Sequence, residues 1–415
     1  MKKTASIVFS TLCAALLAVG ALADEIPAKK AADNRQVVTE YLNETLYENF
    51  EDPDTVPVLS DDAPDIPAAS ALLCEVSTGT VLFEKNSAEK RSPASITKIM
   101  TMLLTVEAVE SGKISLNDTV TASEHACSMG GSQIWLENGE TMVLSDLLKS
   151  VAVGSANDAA VALAEYISGS EEAFAAFMNK RAAELSMNDT HFVNASGLDT
   201  DGHISTAADV AKMACELLKH DIIKNYTTIW MDSVRNGKTQ LVNTNKLIRF
   251  YEGATGLKTG TTDKAGYCVT ASAKKNGMEL VAVILDGQTS DLRFSAAKAL
   301  LNYGFANYEL ANPDIGSEAL LSVDVTGGTK RTVDLDFTKQ NRLLTEKGRG
   351  GDIEVKLELE QSVAAPVEKG QVLGKAEFLL DGQVILQREL YAADTVEKKT
   401  FGFCLAAFSR QFFGL

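Results

Sequence analysis

The stretch SPASITKIMTMLL, residues 92–104, is apolar around nearly the whole circumference of a helix, yet it contains a lysine. Its large apolar side chains are Ile96, Ile99, Met100, Leu103 and Leu104. Pro93 suits the first turn of a helix, so the pattern predicts a buried helix that begins close to it. Ser95 and Lys98 are three residues apart and would share one face of that helix, where their side chains can meet.

Burial of the Lys98 side chain would change its protonation, because desolvation penalises the ammonium form. Lowering a lysine pKa from about 10.4 to near 7 requires roughly 4 to 5 kcal/mol, which burial and a neighbouring cation can supply. A neutral amine beside the Ser95 hydroxyl can take its proton. The stretch therefore predicts an activated serine nucleophile that needs no histidine.

The S-x-x-K pattern is weak on its own, since it occurs four times, at Ser87/Lys90, Ser95/Lys98, Ser272/Lys275 and Ser295/Lys298. Two further motifs single out the Ser95/Lys98 pair as the functional one. An S-x-N motif at Ser155 and Asn157 interrupts two helical runs, where side chains can project into a cleft. The K-T-G motif that begins at Lys258 is the only K-[ST]-G in the chain and precedes an apolar strand. We interpret the three motifs as one constellation around a serine nucleophile.

This set of motifs resembles that of the penicillin-binding protein and serine β-lactamase superfamily. The stretches SPASITK, GSANDA, LKTGTTDKAGYC and ELSMNDTHFVNASGLD are most similar to the low-molecular-mass D-alanyl-D-alanine carboxypeptidases. The similarity covers roughly residues 68–310. It implies a serine peptidase that acts on peptidoglycan stem peptides ending in D-Ala-D-Ala, is inhibited by β-lactam antibiotics and uses no cofactor or metal.

The resemblance also implies how the polar residues divide the chemistry. Ser95 would attack the carbonyl between the two D-alanines, with Lys98 as general base, to give an acyl-enzyme. Ser155 would relay a proton to the leaving amine, and Asn157 would orient both Lys98 and the substrate backbone. Lys258 would depress the pKa of Lys98 and attract the terminal carboxylate.

The remaining members of the set would bind the substrate. Thr259 would hold the terminal carboxylate, and Gly260 would let its strand approach the substrate. The backbone N–H groups of Ser95 and Thr261 would form the oxyanion hole. Arg293 matches a family arginine that clamps the carboxylate in bidentate fashion, the alternative being an ordinary surface charge.

Three other functions compete with the carboxypeptidase. A D,D-endopeptidase would use the same residues on cross-links. A class A β-lactamase would need a glutamate for deacylation, and Glu184 with Asn188 mimics its Glu-x-x-x-Asn pattern, although Asn188 is better interpreted as a helix stop. A non-catalytic muropeptide-binding protein would have lost Ser95, Lys98 or Lys258, and all three are present.

The first 67 residues indicate export. A basic start, an apolar run and an Ala-Leu-Ala site predict a signal peptide at residues 1–23, the alternative being a membrane-spanning helix. Residues 24–67 carry 12 acidic and 3 basic residues and five of the eight prolines, which indicates a solvated acidic linker. We therefore expect the protein at the outer face of the bacterial cytoplasmic membrane.

Composition excludes two further classes of function. The net charge is −17 and no basic patch is visible, so we expect no nucleic-acid partner. The four histidines lack the close spacing of zinc ligands.

Four widely spaced cysteines of the mature chain are interpreted as small core residues, with a disulfide left open: Cys74, Cys127, Cys215 and Cys268.

The order of elements predicts an α+β fold in which helices flank an antiparallel sheet, over residues 68–311. Hairpin signals lie at residues 77–79 and 275–277. From 312 to 395 only strand patterns occur, with strict apolar alternation at residues 353–360 and a turn at 381–382, which predicts a small all-β domain.

The last segment, residues 396–415, has apolar residues at helical spacing, which are Phe401, Cys404, Leu405, Phe408, Phe412 and Leu415. It is too short to span a bilayer, which takes about twenty residues. We expect an amphipathic helix that lies on the membrane surface, with Lys398, Lys399 and Arg410 near anionic headgroups. The alternative is a terminal helix docked on the β domain.

Overall fold

The computed structural model describes residues 63–313, 322–336 and 342–413. The signal peptide predicted at 1–23 and most of the acidic linker predicted at 24–67 lie outside these residues. The described chain consists of a helix-flanked sheet followed by an all-β unit. This confirms the expected α+β class.

The central sheet is five-stranded and antiparallel throughout, in the order β2-β1-β9-β8-β7. Its strands are β1 Ala68–Glu75, β2 Val81–Lys85, β7 Ala254–Thr262, β8 Gly266–Lys275 and β9 Met278–Gly287. The expected hairpins at 77–79 and 275–277 are confirmed, since they join β1 to β2 and β8 to β9. Two short antiparallel strand pairs lie outside this sheet, formed by β3 Thr119–Thr121 with β4 Thr141–Val143 and by β5 Met231–Val234 with β6 Thr239–Val242.

Helices cover both faces of this sheet. They are α1 Lys98–Glu110, α2 Glu124–Cys127, α3 Leu144–Gly154, α4 Asn157–Ser168, α5 Glu171–Glu184, α6 Ala207–Leu218, α7 Asp221–Thr227, α8 Leu247–Phe250 and α9 Ser290–Asn307. One core contains α1, α3, α4 and α6 together with alternate residues of β9, such as Val283. The opposite core contains α9 and the intervening residues, such as Ile284. Because both faces are covered, β9 is apolar along nearly its whole length.

The all-β unit has a six-stranded sheet in the order β14-β16-β17-β12-β11-β15. Its strands are β11 Ser322–Thr326, β12 Thr332–Asp336, β14 Glu354–Leu359, β15 Ser362–Ala364, β16 Val372–Leu380 and β17 Gln383–Ala392. The alternation predicted for residues 353–360 is confirmed, because β14 alternates between exposed and half-buried positions. A separate ladder pairs β10 Tyr308–Ala311, which directly follows α9, with β13 Leu343–Glu346. The chain therefore starts to pair with the β unit slightly before residue 312.

The chain leaves the β unit later than the sequence predicts. Val396 is buried and pairs with Val367, and Lys398 pairs with Gly328. The terminal helix, α10, spans Phe401–Phe413, so it begins five residues after the start expected for the tail. Within the described part of the chain, no helix combines the length and the apolar character needed to cross a membrane.

The cysteines of the described residues are all free thiols. Cys74, Cys215 and Cys268 are buried, as expected for small core residues, whereas Cys127 is half-buried. The Sγ atoms of Cys74 and Cys215 lie 3.5 Å apart, which joins β1 to α6 through a thiol–thiol contact.

Candidate active site

The nucleophile candidate lies on a short 3-10 turn, Ala94–Thr97, that leads directly into α1. The sequence predicts one continuous helix from Pro93, so the α-helix begins later than expected, at Lys98. Ala94 is buried and adopts a left-handed φ of 46°, which turns the chain sharply before Ser95. The expected contact still forms, because Lys98 Nζ lies 2.9 Å from Ser95 Oγ.

The Lys98 side chain is fully buried and is held by oxygen atoms from three parts of the chain. In its neutral form, Nζ donates its two N–H groups to Asn157 Oδ1 at 2.5 Å and to the carbonyl oxygen of Ser196 at 2.6 Å, and its lone pair faces the Ser95 hydroxyl at 2.9 Å. These contacts satisfy the amine without any carboxylate partner among the hydrogen bonds. The amine is therefore positioned without being stabilised as an ammonium by a direct ion pair.

Burial lowers the pKa of Lys98 well below its ordinary value, and the nearby Lys258 cation lowers it further. Asp158 acts in the opposite direction, but its effect is the smallest of the three. Desolvation penalises the charged form of a lysine, and a like charge does the same. Lys98 can therefore supply a neutral amine at hydrogen-bond distance from a serine hydroxyl, which is the arrangement of a general base with its nucleophile.

The S-x-N motif forms the junction between α3 and α4. Ser155 is buried and adopts a left-handed conformation, with φ 59° and ψ 28°, so the two helices are interrupted where the sequence predicts. Asn157 begins α4, and its Nδ2 donates to the carbonyl of Gly130 at 2.6 Å. Since the amide group is held by Gly130, its Oδ1 is fixed toward Lys98.

The K-T-G motif lies on β7 beside the nucleophile turn. Lys258 is fully buried, and its pKa is lowered to about 7 by burial and by the nearby Arg293 guanidinium. Its Nζ donates to the carbonyl of Thr259 at 2.9 Å, and Thr259 Oγ1 donates to Thr244 Oγ1 at 2.7 Å. A Cβ at Gly260 would lie 3.0 Å from the Pro93 carbonyl oxygen and 3.1 Å from Ser95 N, so a side chain there would push the strand and the nucleophile turn apart.

Arg293 lies in the first turn of α9 and is bound to the strands next to the K-T-G motif. Its Nη1 donates to the carbonyl of Gly260 at 3.1 Å, to Thr261 Oγ1 at 2.9 Å and to the carbonyl of Cys268 at 3.2 Å. The residue is buried, so the alternative of an ordinary surface charge is wrong. Its cation fixes the end of β7 and adds to the positive charge near Lys258.

Several supporting residues were not identified by sequence reasoning. The Ser196 carbonyl is one, and Gly197 is another, because a Cβ there would lie 1.9 Å from the Ala94 carbonyl oxygen. His203 Nε2 lies 2.7 Å from Thr97 Oγ1, and burial lowers the pKa of His203 to about 4, so this histidine is neutral. Ser196 and Gly197 lie within the family-like stretch ELSMNDTHFVNASGLD, but no pattern in that stretch indicates contact with Lys98.

Two other groups of acidic residues lie apart from this site. Glu184 ends α5, is half exposed and pairs with Lys180 and Arg181, so no contact of its side chain supports the β-lactamase role. Glu107, Glu216 and His220 are close enough to share a metal ion. However, Arg181 already donates to both carboxylates, so a cation occupies that position.

Gly197 provides a direct test of how tightly the nucleophile turn is packed. We expect Gly197→Ala to lower stability by about 3 kcal/mol or more, because the added methyl collides with backbone and cannot move aside. Gly277→Ala is the matched control, since Gly277 has nearly the same φ, +83° against +82°, but has open space around it. The control should lose only the cost of left-handed backbone, about 1 to 2 kcal/mol. Calorimetric unfolding of both variants measures the difference, and equal losses would contradict the packing.

Comparison with known proteins agrees with this geometry. A family model described as D-alanyl-D-alanine carboxypeptidase matches residues 58–289, and one described as the C-terminal domain of penicillin-binding protein 5 matches residues 316–398. The D-alanyl-D-alanine carboxypeptidase DacF of Bacillus subtilis is 44% identical over 80% of this chain and 87% of its own length. DacC of Escherichia coli is 34% identical over 82% of this chain and 87% of its own length.

Solved structures show the same relationship. Penicillin binding protein 5 from Haemophilus influenzae superposes with a TM-score of 0.72 at 31% identity, covering 82% of this chain and 100% of that one. Penicillin-binding protein D2 from Listeria monocytogenes, described in a cefotaxime-bound form, has a TM-score of 0.55 at 31% identity over 59% and 99% of the two chains. The chain therefore belongs to the D-alanyl-D-alanine carboxypeptidase family of serine hydrolases.

Proposed function

We propose that the protein removes the terminal D-alanine from peptidoglycan stem peptides through an acyl-enzyme on Ser95. The observation that carries this proposal is the buried amine of Lys98, which has a lowered pKa and lies 2.9 Å from the Ser95 hydroxyl. The names of the relatives support the substrate, since they are D-alanyl-D-alanine carboxypeptidases.

In the proposed reaction, Ser95 Oγ attacks the carbonyl carbon of the D-Ala–D-Ala bond while Lys98 Nζ takes the hydroxyl proton. The tetrahedral oxyanion is bound by the backbone N–H groups of Ser95 and Thr261. Collapse of the tetrahedral intermediate breaks the C–N bond, and the proton that Lys98 took from Ser95 reaches the leaving amine through Ser155. Asn157 keeps Lys98 and the substrate backbone in line throughout. Water then hydrolyses the ester and restores the serine.

The substrate ends in a carboxylate, and the cations beside the nucleophile suit it. Lys258 supplies positive charge, Thr259 a hydroxyl donor, and Arg293 holds the adjoining end of β7 and adds a second cation. Gly260 leaves room for the substrate backbone along this strand. A β-lactam antibiotic also carries a carboxylate next to a reactive amide, so the same groups would direct its ring carbonyl to Ser95. The leaving nitrogen then stays attached to the acyl group.

The tail supports a proposal about location. The side chains of Phe401, Leu405 and Phe408 on α10 are exposed, with Phe401 at 84%, which places an aromatic and apolar surface at the end of the chain. Such a helix suits the interface of a membrane. Together with a signal peptide at 1–23, it leads us to place the protein at the outer face of the cytoplasmic membrane, bound peripherally.

Covalent labelling by penicillin tests the nucleophile. Wild type should gain one penicilloyl adduct by intact-mass analysis, and Ser95→Ala should gain none. Ser87→Ala is the matched control, because Ser87 belongs to another S-x-x-K pair but bonds to Glu84 and should label normally. An adduct on Ser95→Ala, or none on wild type, would overturn the proposal.

The pH dependence of acylation tests the base. The second-order rate constant with penicillin should fall as the pH drops through the pKa of Lys98, because the ammonium cannot accept a proton. Lys258→Met removes a cation that disfavours the ammonium form of Lys98, so the pKa of Lys98 should rise. The acid limb of the pH–rate profile for acylation should therefore move to higher pH. Lys264→Met, an exposed lysine in the β7–β8 turn, should leave the limb in place. A limb that stays fixed or moves to lower pH in Lys258→Met would contradict this assignment.

Truncation tests the tail. Residues 397–399 pair with the β unit, so the deletion should start at Phe401 and remove residues 401–415. We expect the full chain to sediment with vesicles that contain an anionic phospholipid, and the truncated chain to stay in the supernatant. Turnover of a soluble D-Ala-D-Ala peptide should be equal in both forms. If the truncated protein still sediments, the helix is not the membrane contact.

A further inference from the structure

The segment 130–136 forms a wall beside the catalytic residues and is bound tightly to the start of α4. Asn157 N donates to the Ser132 carbonyl at 2.7 Å, and Asn157 Nδ2 donates to Gly130. The fully buried Asp158 carboxylate accepts the backbone N–H groups of Ile134 and Leu136 at 3.0 to 3.2 Å. The wall is therefore fixed by Asn157, the last residue of the S-x-N motif, and by Asp158, which follows it.

The same segment is held from its other side by Arg235, at the tip of the β5–β6 hairpin. Its Nη1 donates to the Ile134 carbonyl at 2.6 Å and its Nη2 to the Trp135 carbonyl at 3.2 Å. The guanidinium in turn pairs with Glu140. Both the N–H and the C=O groups around Trp135 are thus occupied by buried or half-buried partners, so the backbone here is rigid.

Trp135 stands out from this rigid wall. Its side chain is 62% exposed, whereas its neighbours Ile134 and Leu136 are only 2% and 6% exposed. Its φ is +53°, in the left-handed region that a bulky residue rarely adopts. Because most of this large aromatic residue is exposed to water, it contributes little packing to offset the strained backbone. Strain of this kind is typical of functional sites, where a ligand supplies the missing contact.

The position of Trp135 suits a distant part of the substrate. Hydrogen bonds link Ser95 to Lys98, Lys98 to Asn157, and Asp158 to the backbone on either side of Trp135. With ordinary bond lengths, this path places the Trp135 Cα within roughly 22 Å of Ser95 Oγ. An extended peptide of five residues spans about 17 Å. The path is an upper limit and the indole extends beyond its Cα, so these lengths are compatible with contact at the far end of a pentapeptide whose last bond lies at Ser95.

We propose that Trp135 forms an extended subsite that stacks on the part of the substrate remote from D-Ala-D-Ala, namely the first residues of the stem peptide and the amino sugar attached to them. The inference rests on the proposed function for its choice of ligand. An indole face packs on aliphatic chains and on the C–H faces of sugar rings while tolerating one wet side. The subsite makes the enzyme prefer peptidoglycan-derived peptides over short synthetic ones.

Substrate length provides the kinetic test. Three substrates are compared: an N-acetylated tripeptide ending in D-Ala-D-Ala, the sugar-free pentapeptide and the disaccharide pentapeptide. Trp135→Ala should lower kcat/KM for the disaccharide pentapeptide about fivefold to tenfold more than for the tripeptide. The sugar-free pentapeptide then assigns the contact to the peptide or to the sugar. Trp135→Phe should recover part of the loss. Tyr166→Ala, another exposed aromatic on α4, should change none of the three. An equal effect on all substrates, or no effect, would overturn the proposal.

Tryptophan fluorescence provides a readout that does not depend on turnover. The chain has two tryptophans, and the other, Trp230, is half-buried against Phe250. In Ser95→Ala, the disaccharide pentapeptide should shift the emission, and in Ser95→Ala/Trp135→Phe the shift should disappear. A shift that persists in the double variant would contradict the subsite. Failure of the proposed function would show separately, as a missing penicillin adduct on wild type.

Discussion

The active site depends on the burial of one amine. Lys98 lies at the start of α1 and has no exposed surface, so water cannot solvate a charge on its side chain. Its hydrogen-bond partners are neutral and include no carboxylate: the Asn157 amide and the Ser196 carbonyl accept its two N–H groups, and the Ser95 hydroxyl faces its lone pair. Because these groups satisfy the donors of an amine without repaying the full cost of an ammonium, the pKa of Lys98 is lowered and a base is available near neutral pH.

Holding that amine requires three separate segments to meet in one place. These segments are the nucleophile turn, the junction between α3 and α4, and the loop that contains Ser196. They are far apart in sequence, yet they pack close together in the fold. Glycines make two of these approaches possible, since Gly197 faces the Ala94 carbonyl and Gly260 faces the backbone of Ser95. The catalytic geometry is thus a consequence of close packing as much as of polar side chains.

The sequence predicts the features that are local and misses those that are not. The spacing of Ser95 and Lys98, the break after Gly154 and the hairpin turns follow from patterns a few residues long, and the structure shows each of them. The Ser196 carbonyl could not be predicted, because a backbone acceptor has no residue signature and its partner is 98 positions away. The late start of α10 has a similar reason, since residues 396–399 pair with residues 327–329 and 367, which are far away in sequence, and no local pattern indicates that pairing.

The three basic side chains of the site form a series in which each one affects the next. Arg293 lowers the pKa of Lys258, and Lys258 lowers that of Lys98. With a pKa of about 7, Lys258 is only partly charged near neutrality when the site is empty. In the proposed mechanism, the carboxylate of the substrate binds beside Lys258 and stabilises its ammonium form, because an opposite charge favours ionisation. At Lys98 the bound carboxylate offsets the added charge of Lys258, because the two form a pair with no net charge. Burial, the largest cause of the lowered pKa of Lys98, is therefore what keeps this base neutral when Ser95 must lose its proton.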